Sequence, residues 1–237
     1  MIFHQLFDKE SSTFTYLLAD EKTREALIID PVLECFERDL NLIRELNLKL
    51  KYSLETHVHA DHITSSKKLK EATGAKIGLS SLYRMSCPDL QLGDHDQISF
   101  GEYKVEVIET PGHTIGCLTY KVEDKVFTGD ALLIRGCGRT DFQGGSSETL
   151  YHSVKEKIFG LNKNTQIYPA HDYKGFMSST VEEERNLNPR LHDGVTKEEF
   201  IEIMNELKLA YPKKIDEAVP ANQLCGVREL DPEQPSP

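Results

Sequence analysis

Thr56-His57-Val58-His59-Ala60-Asp61-His62 places three imidazoles and a carboxylate within six residues. The run follows Leu50-Lys51-Tyr52-Ser53-Leu54-Glu55, which reads as a strand. It precedes Ile63 to Lys70, which reads as the opening of a helix with Asp61 near its N-cap. In extended backbone, side chains two residues apart face the same way, so His57 and His59 point together and the following turn brings Asp61 and His62 in behind them. Polar groups packed this densely need partners in a folded interior, and a bound metal ion satisfies all of them at once. The bland alternative is a histidine-rich surface loop.

Working outward from this corner, three later stretches each end an apparent strand with a metal-type ligand. They are Thr110-Pro111-Gly112-His113-Thr114, Phe127-Thr128-Gly129-Asp130 and Tyr168-Pro169-Ala170-His171-Asp172. Taken singly each is an ordinary turn. In this order, behind the first run, they resemble the signature of the metallo-β-lactamase superfamily, the likeness covering roughly residues 12 to 190. It implies an α/β fold, a four-layer αββα sandwich with the metal site at one edge of two packed sheets. The implied ligands are His57, His59, His113 and Asp130, with Asp61, His62 and His171 beside them, and zinc, iron or manganese all suit such donors.

The segment Asp130-Ala131-Leu132-Leu133-Ile134-Arg135-Gly136-Cys137-Gly138-Arg139-Thr140-Asp141-Phe142-Gln143 is similar to the sulfur dioxygenase branch of the superfamily. So are residues 14–18, 181–190 and 218–222. That resemblance implies oxidation of glutathione persulfide by O2 and water to sulfite and glutathione, at a single Fe(II) per chain. His57, His113 and Asp130 would hold the iron on one face and leave three positions for substrate sulfur, O2 and water. Under this reading His59, Asp61, His62 and His171 orient those ligands through hydrogen bonds. Ligand inventory alone favours two metals, as in a dinuclear zinc hydrolase of glutathione thiolesters of the glyoxalase II type. The long helical C-terminal domain of that rival has little room here.

Glutathione carries two carboxylates, so the pocket must supply cations. The candidate substrate contacts are Arg139, Tyr173 and Arg190, with an ion pair between Arg139 and Asp141 as the bland alternative for the first.

The 237 residues suffice for one large domain, and 38% hydrophobic residues are enough to build a core. A formal net charge of -11 argues against nucleic acid or an anionic membrane as partner. Neither a signal peptide nor a membrane-spanning run is evident. Five cysteines without a C-x-x-C pair read as reduced thiols in a cytoplasmic protein. Members of the family are often dimers, so the resemblance admits a homodimer.

Along the chain, short strands at residues 2–7, 13–19 and 26–30 precede an amphipathic helix at 36–46. Residues 80 to 91 read as a loop. Strands return from 97 to 127 and at 166–168, with helices after 147, at 180–187 and at 197–208. The expected organisation is a core over residues 1–175, a helical extension over 176–230 that completes the sandwich and the substrate pocket, and a disordered tail over 231–237.

Overall fold

The computed structural model describes residues 1–227; the expected tail at 231–237 lies outside them. In the first sheet β1 (Ile2–Asp8), β2 (Thr13–Ala19) and β3 (Glu25–Ile29) form an antiparallel meander. A helix, α1 (Phe36–Glu45), then crosses over to β4 (Lys49–Leu54), which runs parallel to β3. A second crossover through α2 (Ser66–Thr73) leads to β5 (Lys76–Ser80) and the edge strand β6 (Leu90–Leu92), both again parallel. The strand order is β1-β2-β3-β4-β5-β6.

The second sheet is built from β7 (Gln97–Phe100), β8 (Tyr103–Glu109), β9 (Leu118–Val122) and β10 (Lys125–Gly129) as an antiparallel meander. It is extended by the parallel β11 (Gln166–Pro169) and the two-residue β12 (Ser179–Thr180). The helices α3 (Ser147–His152), which continues into a π segment over Ser153–Ile158, α4 (Val181–Leu187), α5 (Lys197–Glu206) and α6 (Ile215–Gln223) complete the described chain.

Strand parity generates the layers. On β2, Phe14, Tyr16 and Leu18 face the second sheet and pack with Phe100, Val107, Tyr120 and Phe127, whereas Leu17 and Ala19 face the opposite way, toward Ile43 of α1 and Leu69 of α2. On the second sheet Val126 and Ile167 point outward to Leu150, Phe200 and Met204 of α3 and α5. Two sheets with helices on their outer faces make the αββα sandwich. No helix among the described residues is long and apolar enough to cross a membrane.

Three local expectations need correction. Asp61 does not cap a helix: α2 begins at Ser66, with Ser65 at its N-cap, because the Asp61 carboxylate is taken by His62 and Thr13. Residues 80 to 91 are not all loop, since a 3₁₀ turn at Ser81–Tyr83 leads into β6. The cysteines are not all reduced: Cys87 and Cys225, 138 residues apart with Cα atoms at 5.9 Å, form a disulfide, leaving Cys35, Cys117 and Cys137 free. No spacing in the sequence announces a pair that only the completed fold brings together.

Candidate metal centre

The parallel crossover from β4 ends at Leu54, and the chain turns directly into the histidine run, so His57, His59 and His62 are buried at the edge where the two sheets meet. The turn after β8 brings His113 to the same edge, the end of β10 brings Asp130, and the end of β11 brings His171. Glycine is required at two positions around this edge, one in the turn after β8 and one in the loop after β10. Gly112, at φ +132°, leaves no room for a Cβ against the Leu150 backbone, and a Cβ on Gly138 would lie 2.7 Å from His113 Nδ1.

The ligand atoms of His57, His113 and Asp130 lie within 4.8 Å of one another, and so do those of His59, Asp61 and His62. His113 Nε2 is 3.6 Å from Asp130 Oδ2; His171 Nε2 is 3.6 Å from Asp61 Oδ2 and 3.7 Å from Asp130 Oδ1. All seven sequence-derived metal-site candidates therefore belong to one constellation.

Hydrogen bonding determines which nitrogen of each ring is free. His113 Nδ1 lies 2.6 Å from the Arg139 carbonyl oxygen, which can only accept, so Nδ1 carries the proton and Nε2 presents its lone pair. Thr56 Oγ1 donates to Asp30 Oδ2 at 2.8 Å and so accepts from His57 Nδ1 at 3.0 Å, which leaves His57 Nε2 open as well. His59 donates through Nε2 to Asp30 Oδ1 at 3.0 Å, and His62 through Nδ1 to Asp61 Oδ2 at 2.9 Å. His59 Nδ1, His62 Nε2 and Asp130 Oδ1 are buried yet have no hydrogen-bond partner among the described residues. With the protons on His59 Nε2 and His62 Nδ1, the orphaned atoms all carry lone pairs, and lone pairs converging beside the open imidazole nitrogens are what a metal cation satisfies, so the residues fit one.

The charges are arranged accordingly. Burial, and then the neighbouring His59 and His113, hold His57 well below the usual imidazole range, keeping it neutral and ready to ligate. Burial opposes charge on His171 too, but Asp130 and Asp61 prevail and bring it up to about 9. Burial likewise disfavours the Asp61 carboxylate, yet His62 and His171 hold it well below its ordinary value.

A cavity of about 900 Å³ opens over His57, His113 and Asp130. The three expected substrate contacts all line it. The Arg139 guanidinium is engaged by Asp141 through two contacts of 2.6 and 2.7 Å, and by the Ala210 carbonyl at 2.8 Å. Tyr173 is 71% exposed and stacks on the His171 ring, and Arg190 donates to the Cys137 carbonyl at 3.2 Å. Cys137 itself is buried, its thiol pushed up to about 11 by burial. Asp172 accepts from the backbone of Lys174 and Phe176, a loop-shaping role.

The sequence reading missed two supporting residues. Asp30 registers in sequence only as the end of a strand before Pro31, yet its carboxylate holds Thr56 and His59. Asn222, within the stretch 218–222, accepts from Thr64 N and donates to the carbonyls of His59 and His62. Neither carries a local pattern, although Asn222 ends one of the stretches that carry the family resemblance.

The family description "Metallo-beta-lactamase superfamily" matches residues 8–171. The human protein "Persulfide dioxygenase ETHE1, mitochondrial" is 54% identical over 230 residues, which is 96% of this chain and 90% of the relative. The chain belongs to the persulfide dioxygenase family of the metallo-beta-lactamase superfamily. Among solved structures, ETHE1 from Myxococcus xanthus aligns with a TM-score of 0.94 and 51% identity, over 96% of this chain and 100% of that one. Glyoxylase B2 of Dictyostelium discoideum, on the side of the hydrolase rival, is 32% identical over 95% of this chain and 90% of its own length. The persulfide dioxygenase relatives are thus far nearer than this glyoxylase, at comparable coverage.

Proposed function

We propose that the protein is a glutathione persulfide dioxygenase that converts the outer sulfur of the persulfide, with O2 and water, to sulfite and releases glutathione. The observation that carries the reading is the 54% identity to a persulfide dioxygenase across nearly the whole chain, joined to a metal-binding constellation that opens onto a substrate-sized cavity. We further propose one Fe(II) per chain, held by His57, His113 and Asp130. The metal, when bound, supplies the redox chemistry that dioxygen and a sulfur anion need to react. The chain's own contribution is positioning. Arg139 O fixes His113, and Asp30 fixes His57 through Thr56.

His59, Asp61, His62 and His171 are proposed as orienting residues. Arg139, Tyr173 and Arg190 are proposed as substrate contacts, with the described part of the extension, residues 176–227, completing the pocket; residues 228–230 lie outside the described residues. Support for that extension comes from Arg190 and Leu209 to Lys214, which form one wall of the cavity. A glutathione carboxylate reaching Arg139 must compete with Asp141.

A second reading, the dinuclear hydrolase, is favoured by one observation: His59 Nδ1 and His62 Nε2 are orphaned beside Asp61. An oxygen electrode separates the two. The proposal expects O2 uptake with glutathione persulfide, stoichiometric with sulfite; cleavage of glutathione thiolesters without O2 uptake would favour the hydrolase. Our reading of the compartment as cytoplasmic and of the assembly as a homodimer are separate proposals, tested by fractionation and by light scattering. The mammalian relatives carry "mitochondrial" in their names, so the fractionation must include that organelle.

A further inference from the structure

The metal-binding turn rests on α6 through one side chain. Asn222, 5% exposed, accepts from Thr64 N at 2.9 Å and donates to the carbonyls of His59 at 2.9 Å and His62 at 2.8 Å. It thereby fixes the backbone on both sides of the turn that carries Asp61, and His57, His59, Asn222 and Cys225 line one small space beside this turn.

What holds α6 in place is thin. Its buried apolar contribution to the adjoining cluster is Ala218 and Ala221, packed on Ile63 with Leu33 alongside, and Pro220 interrupts its hydrogen bonding. Ile215, at the first turn, is the one large apolar side chain of α6 that is buried, and the two alanines nearer Asn222 bury little apolar surface. The chain that enters the helix, from Leu207 to Lys214, is irregular and exposes Leu209 and Tyr211. Against this weak packing stands a covalent tie: three residues beyond Asn222, Cys225 is bonded to Cys87 in the loop before β6. Cys225 is buried, whereas Cys87 is only partly so.

We propose that the Cys87–Cys225 disulfide is a redox-sensitive clamp on the metal site, holding Asn222 against the metal-binding turn so that its reduction by a small thiol loosens metal retention. The inference rests on the metal-site reading above. Chemically, a thiolate attacks Cys87 Sγ, the more accessible sulfur; the S–S bond breaks and Cys225 leaves as a thiolate that takes a proton from water. A second thiol resolves the mixed disulfide. Two thiols are thus oxidised to one external disulfide and the protein pair is reduced by two electrons. Glutathione, released by the proposed reaction, belongs to the class that can do this. Disulfides in reducing compartments are characteristically of this transient, sensing kind.

The test uses the purified metal-loaded chain. Alkylation after denaturation, without reductant, should modify the three free cysteines only and should reach all five after thiol treatment. With the thiol washed out anaerobically, the rate of metal transfer to a chromogenic chelator should rise about tenfold over the oxidised form, the lower end of what loss of a supporting contact does to a metal site. Cys87→Ser, in the loop before β6 and outside the metal-binding turn, should show the fast rate without any thiol, and Cys35→Ser should keep the slow one. Asn222→Ala should be fast in both redox states; if it does not fold, the Cys87→Ser comparison decides alone. Equal rates for Cys87→Ser and oxidised wild type, or five alkylated cysteines in the aerobically purified protein, would overturn the clamp whatever reaction the enzyme catalyses. A chain that retains no metal from the outset would instead overturn the metal-site reading itself.

Discussion

His113 and His171 both reach the same edge, but by different hydrogen-bond logic, and substitution should separate them. His113→Ala removes an open Nε2 and should abolish metal content and O2 uptake together. His171→Ala should keep part of its metal, as elemental analysis of the two variants would show; equal and complete loss in both would contradict the assignment of His171 to an orienting role. Asp30 is the residue-scale surprise. It adopts φ +50°, a left-handed conformation uncommon for a non-glycine residue, while its carboxylate receives Thr56 N at 2.7 Å, Thr56 Oγ1 and His59 Nε2. Asp30→Asn should lower metal affinity on the order of 10- to 100-fold in a competition titration. For Arg139→Ala the expected outcome is a raised KM for glutathione persulfide at little changed kcat; an unchanged KM would remove it as a substrate contact. The ligand histidines were legible because four donors fall in six residues and recur after strands. Asp30 and Asn222 were not, since each reaches the turn from a distant part of the chain and neither sits in a local repeat of donors.

At the scale of elements, hydrophobic periodicity placed most strands and helices, and it failed where an element is too short to show a period. Leu90-Gln91-Leu92 is a strand because β5 offers it a parallel edge, which three residues cannot announce by themselves. The start of α2 was misplaced because Asp61 looks like a cap, while its oxygens are drawn into the metal corner. The helix α1 carries a testable pH effect. Asp39 is fully buried, and burial, offset only in part by Arg38, raises its carboxyl from the ordinary 3.8 to about 6. Because the folded value is the higher one, the stability this group contributes is full below about 4 and is lost as pH rises through about 6. Asp39→Asn, which cannot ionise, should therefore melt higher than wild type at pH 7 to 8, by on the order of 2 kcal/mol. The gap should close toward pH 4. A gap that widens on acidification would contradict this account.

Across the whole molecule, helices cover both outer faces of the paired sheets, with Leu17 and Ala19 of β2 meeting one layer and Val126 and Ile167 the other. The four-layer arrangement is legible in the sequence through the superfamily resemblance carried by the histidine run and the later ligand stretches, since every residue of β2 is buried and shows no polar alternation. The disulfide lay beyond such reading, since it joins two cysteines that no local pattern relates. The sandwich delivers four strand ends to one edge, and the persulfide dioxygenase reading turns on how many metal ions that edge holds when the enzyme is working. The most direct measurement is metal analysis of protein purified without added metal, carried out on the same sample whose O2 uptake with glutathione persulfide has been recorded. One iron per active chain is the expected result; two zinc ions per chain in a preparation that cleaves glutathione thiolesters and consumes no O2 would contradict it.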